Sequence, residues 1–216
     1  MRRFTPAVLL LLALPAASAR AQAGLPVVGE VPWGPLRAQC ERLLKGLDAL
    51  QAPLPDETVR ALKSLLAKES ADADAAARAV QKLLDPHCLV AVSINPESRV
   101  KALRGPAAAE LHKDRETVVL VKVHNDAGVT APLRVSGPGL ISDGKADGQS
   151  WLRAVVATEP PNAMKLSGQR LEYRALRLTP RAAGKREATF RFDVGQGTQD
   201  LGFRAEVPIL FHVRTR

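Results

Sequence analysis

The stretch FRAEVPILFHV, residues 203–213, decides the fold class of this chain. Apolar residues occupy every second position: Phe203, Ala205, Val207, Ile209, Phe211 and Val213. A period of two is typical of a β-strand with one face in a core and the other in water. Pro208 has no backbone N–H, so it predicts that the strand lies at an edge or contains a bulge.

The same alternation continues toward the N-terminus, in LEYR at 171–174 and FRF at 190–192. Candidate strands are 88–94, 99–104, 117–124, 131–136, 151–157, 170–178, 187–194 and 203–213. Short turns rich in Gly, Pro, Asn and Asp separate them, without helical periodicity between. The sequence therefore predicts a mainly β fold, an immunoglobulin-like antiparallel β-sandwich over residues 87–216.

A helical segment precedes the sandwich. Residues 24–33 read as an extended leader with prolines, after which apolar residues recur at spacings of three and four, as at Leu36, Cys40, Leu43 and Leu47. We predict two to three amphipathic helices between the leader and Pro86. So few residues rarely form a core of their own, so we expect the helices to pack on the sandwich or on one another.

The first 23 residues predict export. Arg2 and Arg3 precede the apolar run 7–14, and small residues follow at A-x-A spacing, the order found in a cleavable signal peptide. The run is too short to span a bilayer, which needs about 20 residues. We predict a periplasmic or extracellular protein with no stable membrane insertion after cleavage.

Charge is distributed unevenly along the chain. The formal net charge is +9, and +6 remains without Arg2, Arg3 and Arg20. Residues 24–86 carry −1 and residues 87–216 carry +7. A basic sandwich favours acidic partners such as an anionic polysaccharide, and export argues against nucleic acid.

A cluster of cations suggests where such a partner binds. Seven basic residues fall on two consecutive predicted strands and their loop: Arg170, Arg174, Arg177, Arg181, Lys185, Arg186 and Arg191. We predict that they line one face and form a candidate anion-binding face. The alternative is an ordinary solvated face, because basic side chains also protect strands against edge pairing.

Two cysteines, Cys40 and Cys88, leave two alternatives open. An even pair in an exported chain can form a disulfide. Because Cys also packs as a small apolar side chain, the pair equally fits two buried free thiols.

No catalytic residue or metal ligand set is recognisable. None of the four histidines, His87, His112, His124 and His212, lies at metal-ligand spacing from another. No nucleophile elbow or phosphate-binding glycine loop is present. We predict a non-enzymatic protein without a cofactor. Trp33 and Trp151 are candidate stacking platforms for a carbohydrate, although Trp151, at the start of a strand, also fits a core position.

Several strings together resemble a known family. They are LDPHCLV (84–90), INPESRVK (94–101), RGP (104–106), LVKVHN (120–125), AGVTA (127–131), QGTQDLGFR (196–204) and ILF (209–211). They are similar to the N-terminal, non-catalytic region of secreted carbaryl-hydrolase-type (CehA/McbA) metallohydrolases, whose catalytic domain has the PHP fold. The resemblance implies an accessory sandwich, and it carries over no catalytic residue.

We therefore interpret the chain as an exported accessory or interaction module that binds a protein domain, an anionic polymer or a glycan. Two alternatives remain open. The chain is the truncated N-terminal part of a metal-dependent hydrolase, or it is a direct carbohydrate-binding module.

Overall fold

A computed structural model describes residues 24–68, 72–141, 148–195 and 205–215. The predicted signal peptide at 1–23 and the string at 196–204 lie outside the described residues. The helices are α1 (Trp33–Ala49), α2 (Asp56–Leu66) and α3 (Ala73–Leu84), followed by a 3₁₀ turn at Asp85–His87. The strands are β1 (Cys88–Ile94), β2 (Val100–Arg104), β3 (Glu110–His112), β4 (Thr117–Asn125), β5 (Arg134–Ser136), β6 (Leu140–Ile141), β7 (Leu152–Val156), β8 (Leu171–Pro180), β9 (Gly184–Asp193) and β10 (Ala205–Arg214).

These strands form two packed sheets. Sheet A has the order β2-β1-β4-β8-β7-β6, and sheet B has the order β3-β10-β9-β5. The prediction of a mainly β, immunoglobulin-like sandwich behind a short helical segment is confirmed. Most pairings are antiparallel, but β1–β4, β3–β10 and β6–β7 are parallel. In the first two of these pairs, the chain forms a strand of the other sheet before it returns to pair in parallel.

The core between the sheets uses the predicted alternation. In β10, buried Val207, Ile209 and Phe211 alternate with exposed residues over the whole strand. The indole of Trp151 packs edge-on against the ring of Phe211, with centroids 5.9 Å apart. Pro208 pairs with β9, whereas β3 pairs with β10 only from His212 onward. β10 is an inner strand of sheet B and not the predicted edge strand, but in the described part of the sheet Pro208 lies where one side of β10 has no strand neighbour.

The helices and the leader cover the outer face of sheet A. Leu36, Leu43 and Leu47 of α1 share a core with Leu171 and Tyr173 of β8. The side-chain amide of Gln39, on α1, bonds to the backbone of β8. It donates to Tyr173 O at 2.8 Å and accepts from Tyr173 N at 3.3 Å.

One polar side chain of α3 holds the leader by bonding to both the N–H and the C=O of a single residue. Gln81 of α3 accepts from Val28 N at 2.7 Å and donates to Val28 O at 2.9 Å. Leu25, Val28 and Val31 are buried, so the leader forms part of the helical layer. No helix of the described residues is both long and apolar enough to cross a membrane.

A buried ion pair joins this layer to sheet A. Lys122 of β4 is only 2% exposed, and its Nζ donates to Asp85 Oδ2 and to Pro26 O, each at 2.8 Å. Tyr173 Oη donates to Asp85 Oδ1 at 2.9 Å. Burial, with the nearby Asp85 carboxylate, raises the pKa of Tyr173 well above its ordinary value, so the phenol stays a donor.

The two cysteines lie in the same apolar layer as free thiols. Cys40 on α1 and Cys88 at the start of β1 are both fully buried and not bonded to each other. Burial raises the pKa of Cys40 to about 12, and it also raises the pKa of Cys88. Of the two alternatives from the sequence, the structure therefore has buried thiols and not the disulfide.

Candidate anion-binding site

The seven predicted cations do not line one face. The prediction placed them on two adjacent strands, but β8 belongs to sheet A and β9 to sheet B. The chain crosses between the sheets at the β8–β9 connection, so the outer faces of these strands point away from each other. The prediction that these seven cations line one face is therefore wrong.

Four of the seven cations have local partners that neutralise them. Arg170 lies 2.8 Å from Glu30 and 3.2 Å from Asp126. Arg177 lies 3.0 Å from Glu116, and Arg191 lies 2.6 Å from Glu206. These three are part of ordinary ion-paired surface.

Arg174 is the fourth, and it is only 6% exposed. Its guanidinium donates to the carbonyl oxygens of Ala163 and Lys165, and it lies 3.8 Å from Glu172. Glu172 in turn accepts from Ser167 N at 2.9 Å. Both charges thus hold the loop before β8 against the strand.

A polar cavity of about 40 Å³ adjoins this pair. Burial raises the pKa of Glu172 and lowers the pKa of Arg174. A volume of this size holds a water molecule or two and no larger ligand. We interpret Glu172 and Arg174 as structural.

The remaining three predicted cations lie where β8 is joined to β9. Arg181 lies in the connection, and Lys185 and Arg186 lie at the start of β9. All three are exposed, and the ion pairs of the described residues include none of them. The connection ends at Gly184, whose φ of 101° is accessible mainly to glycine. We call residues 181–186 the basic connection, which carries three charges at one end of the sandwich.

The turn between β3 and β4 adds a fourth cation, which the sequence analysis missed. Asp114 N donates to Pro180 O at 2.8 Å, which fixes this turn beside the basic connection. Arg115, next to Asp114, is exposed and outside the described ion pairs, whereas Lys113 lies 3.8 Å from the Asp114 carboxylate. We call Arg115, Arg181, Lys185 and Arg186 the basic end. Only the long-range contact between the two turns reveals Arg115 as a member.

Neither tryptophan is an exposed stacking platform. Trp151 is 6% exposed, and its Nε1 donates to Glu187 O at 3.0 Å. Trp33 is half-buried and packs against the core of the helical layer. The core position for Trp151 is thus confirmed. Neither Trp33 nor Trp151 presents an exposed ring on which a carbohydrate could stack.

Two larger clefts flank the helices. One, of about 330 Å³ between α1 and α2, has Leu44 and Leu66 in its lining beside charged residues. The other, of about 290 Å³, is lined by prolines, alanines and valines and by His87, whose pKa is lowered by burial. In the part of the chain that the structure describes, no three His, Cys, Asp or Glu side chains are grouped as a metal ion would need.

Comparison with known proteins gives little further information. No family model matches the chain, and no curated protein matches it. Among solved structures, domains 1–6 of the surface layer protein SbsC match with a TM-score of 0.28 and 13% identity over 55% of this chain and 15% of that one. Domains 4 and 5 of the same protein match with a TM-score of 0.28 and 12% identity over 53% of this chain and 51% of that one. The chain spans about half or less of the length of these structures, and likeness at this level carries no information about function.

Proposed function

We propose that this chain is an exported, non-enzymatic interaction module that binds an acidic polymer through its basic end. The observation that carries the proposal is the bond from Asp114 N to Pro180 O, which holds the turn of Arg115 beside the segment of Arg181, Lys185 and Arg186, all four of them exposed. Within the described residues, these four take part in none of the ion pairs that neutralise Arg170, Arg177 and Arg191. Clustered unpaired cations create a local positive potential that a polyanion relieves.

The sequence supports the same proposal from two sides. The N-terminal 23 residues predict export, which brings the module among extracellular or periplasmic polymers. The positive charge belongs to the sandwich and not to the helical layer, since residues 87–216 carry +7 and residues 24–86 carry −1.

Retention on a sulfated matrix tests the proposal, with two variants that change the charge equally. One removes three cations of the basic end: Arg181→Gln, Lys185→Gln and Arg186→Gln. The control removes three exposed cations at the opposite end of the sandwich: Arg99→Gln, Lys101→Gln and Arg134→Gln.

We expect wild-type protein to be retained and to elute as salt rises, because exposed ion pairs are screened. The basic-end variant should bind up to about a hundredfold more weakly, since each of three exposed ion pairs contributes up to ~1 kcal/mol. The control should elute close to wild type. Equal losses in the two variants would show that net charge and not the basic end determines binding.

The resemblance supports a second candidate, the front part of a metal-dependent hydrolase. The strings at 84–90, 94–101 and 120–125 fall on the 3₁₀ turn and on β1, β2 and β4. If so, an open reading frame for a PHP-fold catalytic domain should lie beside the gene. The purified chain should hydrolyse neither esters nor phosphodiesters with added Zn²⁺ or Mn²⁺. Hydrolysis by the chain alone would contradict the non-enzymatic proposal.

A further inference from the structure

The basic connection is fixed to the core by one buried residue. Trp151 O accepts from Arg181 N at 2.7 Å, and Trp151 Nε1 donates to Glu187 O at 3.0 Å. These bonds hold the basic connection where it leaves β8 and again within β9. Because Trp151 is 6% exposed and packs against Phe211, the charges of the basic connection project from a rigid base.

One guanidinium of the basic end is also oriented. Arg186 Nε donates to Ala183 O at 2.9 Å within the basic connection. This bond uses the inner nitrogen and leaves the two terminal nitrogens for a ligand, in the fork geometry that matches a two-oxygen anion. A lysine at this position would carry the same charge without the fork.

A second fixed segment supplies the next charge. The bond from Asp114 N to Pro180 O holds Arg115 beside the start of the basic connection. Cations on two fixed segments suit an acceptor that repeats its negative charges along a chain. Trp151, which bonds to the basic connection, and Phe211, which pairs with Arg186, are buried and cannot stack on nucleic-acid bases.

We infer that the basic end is a preorganised site for the oxyanion groups of a linear anionic polysaccharide, with Arg186 contacting the oxyanion and Trp151 as its positioning residue. This inference rests on the proposed function and names the ligand class of the same site. The oxyanion is a sulfate ester or a carboxylate, since both present the two coplanar oxygens that a guanidinium fork accepts.

The test measures affinity for dextran sulfate and for polygalacturonate at several salt concentrations, with polyphosphate and single-stranded DNA as competing polyanions. Arg186→Lys keeps the charge and removes the fork. Trp151→Phe keeps an aromatic ring against Phe211 and removes the Nε1 donor. Arg134→Lys, at the opposite end of the sandwich, is the control. Thermal unfolding and circular dichroism identify any variant that does not fold.

We expect Arg186→Lys to weaken binding of the preferred polysaccharide by about tenfold, the effect of losing one charge-assisted hydrogen bond. The salt dependence should stay unchanged because the number of charges is unchanged. Trp151→Phe should weaken binding by a smaller factor, again with the salt dependence of wild type. Arg134→Lys should bind as wild type does. The preference between dextran sulfate and polygalacturonate identifies the oxyanion.

Other outcomes overturn the inference in distinguishable ways. If Arg186→Lys and a folded Trp151→Phe bind as wild type while the triple Gln variant does not, the site senses charge alone, and the inference fails while the proposed function stands. Tighter binding of polyphosphate or DNA than of either polysaccharide refutes the ligand class. Absence of salt-sensitive binding to every polyanion refutes the proposed function itself.

Discussion

Replacing Asp85 by Asn tests the buried contact between the helical layer and sheet A. Asp85 Oδ2 lies 2.8 Å from Lys122 Nζ, and the Lys122 side chain is 2% exposed. Asp85→Asn keeps the size of the side chain and leaves an uncompensated ammonium in the layer. Breaking a buried pair on one side costs about 3 to 5 kcal/mol. We expect the lower end, because Pro26 O still accepts from Lys122.

A second ion pair has almost the same distance between its charged atoms but is exposed, so it serves as a matched control. Glu110 lies 2.9 Å from Arg214, but their side chains are 58% and 64% exposed. Glu110→Gln should cost at most ~1 kcal/mol, because water screens an exposed pair. The double variant Asp85→Asn with Lys122→Met removes both charges and should recover most of the lost stability.

Urea unfolding followed by circular dichroism measures all three variants. A loss of about 3 kcal/mol corresponds to a decrease in melting temperature of roughly 6 to 12 °C for a chain of this length. An Asp85→Asn protein as stable as Glu110→Gln would show that burial of Lys122 does not set the energy of this contact, and the reasoning would fail.

Three further predictions concern buried groups. Cys40 and Cys88 should react with a thiol reagent at pH 8 only after unfolding, because burial raises both pKa values; rapid labelling of native protein would contradict their burial. Gly137→Ala should destabilise the protein by roughly 2 kcal/mol or more, because φ is 135° and the new Cβ would press on Thr189 O; unchanged urea unfolding would contradict this. Burial raises the pKa of Glu172, so the unfolded state loses the carboxyl proton at a lower pH than the folded state does. The free energy of unfolding therefore falls as pH rises from 4.5 through the folded-state pKa. Glu172→Gln should therefore gain stability relative to wild type between pH 4 and pH 7, and a constant difference across that range would refute the shift.

Most strands were predictable because one of their faces is apolar. The alternation in β10 and the turns around β1, β2 and β4 place those strands within a residue or two of their observed bounds. β3 and β6, with three and two residues, are too short to show a period. β3 pairs with the distant strand β10, and β6 pairs with β7 over only two residues, so no local pattern contains either contact.

The candidate site was less predictable because β8 is buried on both faces. Alternation assigned Glu172 and Arg174 to water, but the loop before β8 covers them. Alternation therefore shows that a charged residue lies on the opposite face of the strand from the apolar residues, but it does not show that this face is exposed to water. No local pattern shows that the chain crosses from one sheet to the other between β8 and β9. The cations of the basic connection were therefore predicted from the sequence, whereas the neighbouring Arg115 was not.

The leader and α1 are made first but pack against a strand made much later. Gln39 bonds to Tyr173, 134 residues further along the chain, and Glu30 pairs with Arg170. At 5–20 residues per second, that interval in synthesis is on the order of ten seconds. For this time α1 lacks the strand against which it packs, so its leucine face stays exposed until β8 has been made.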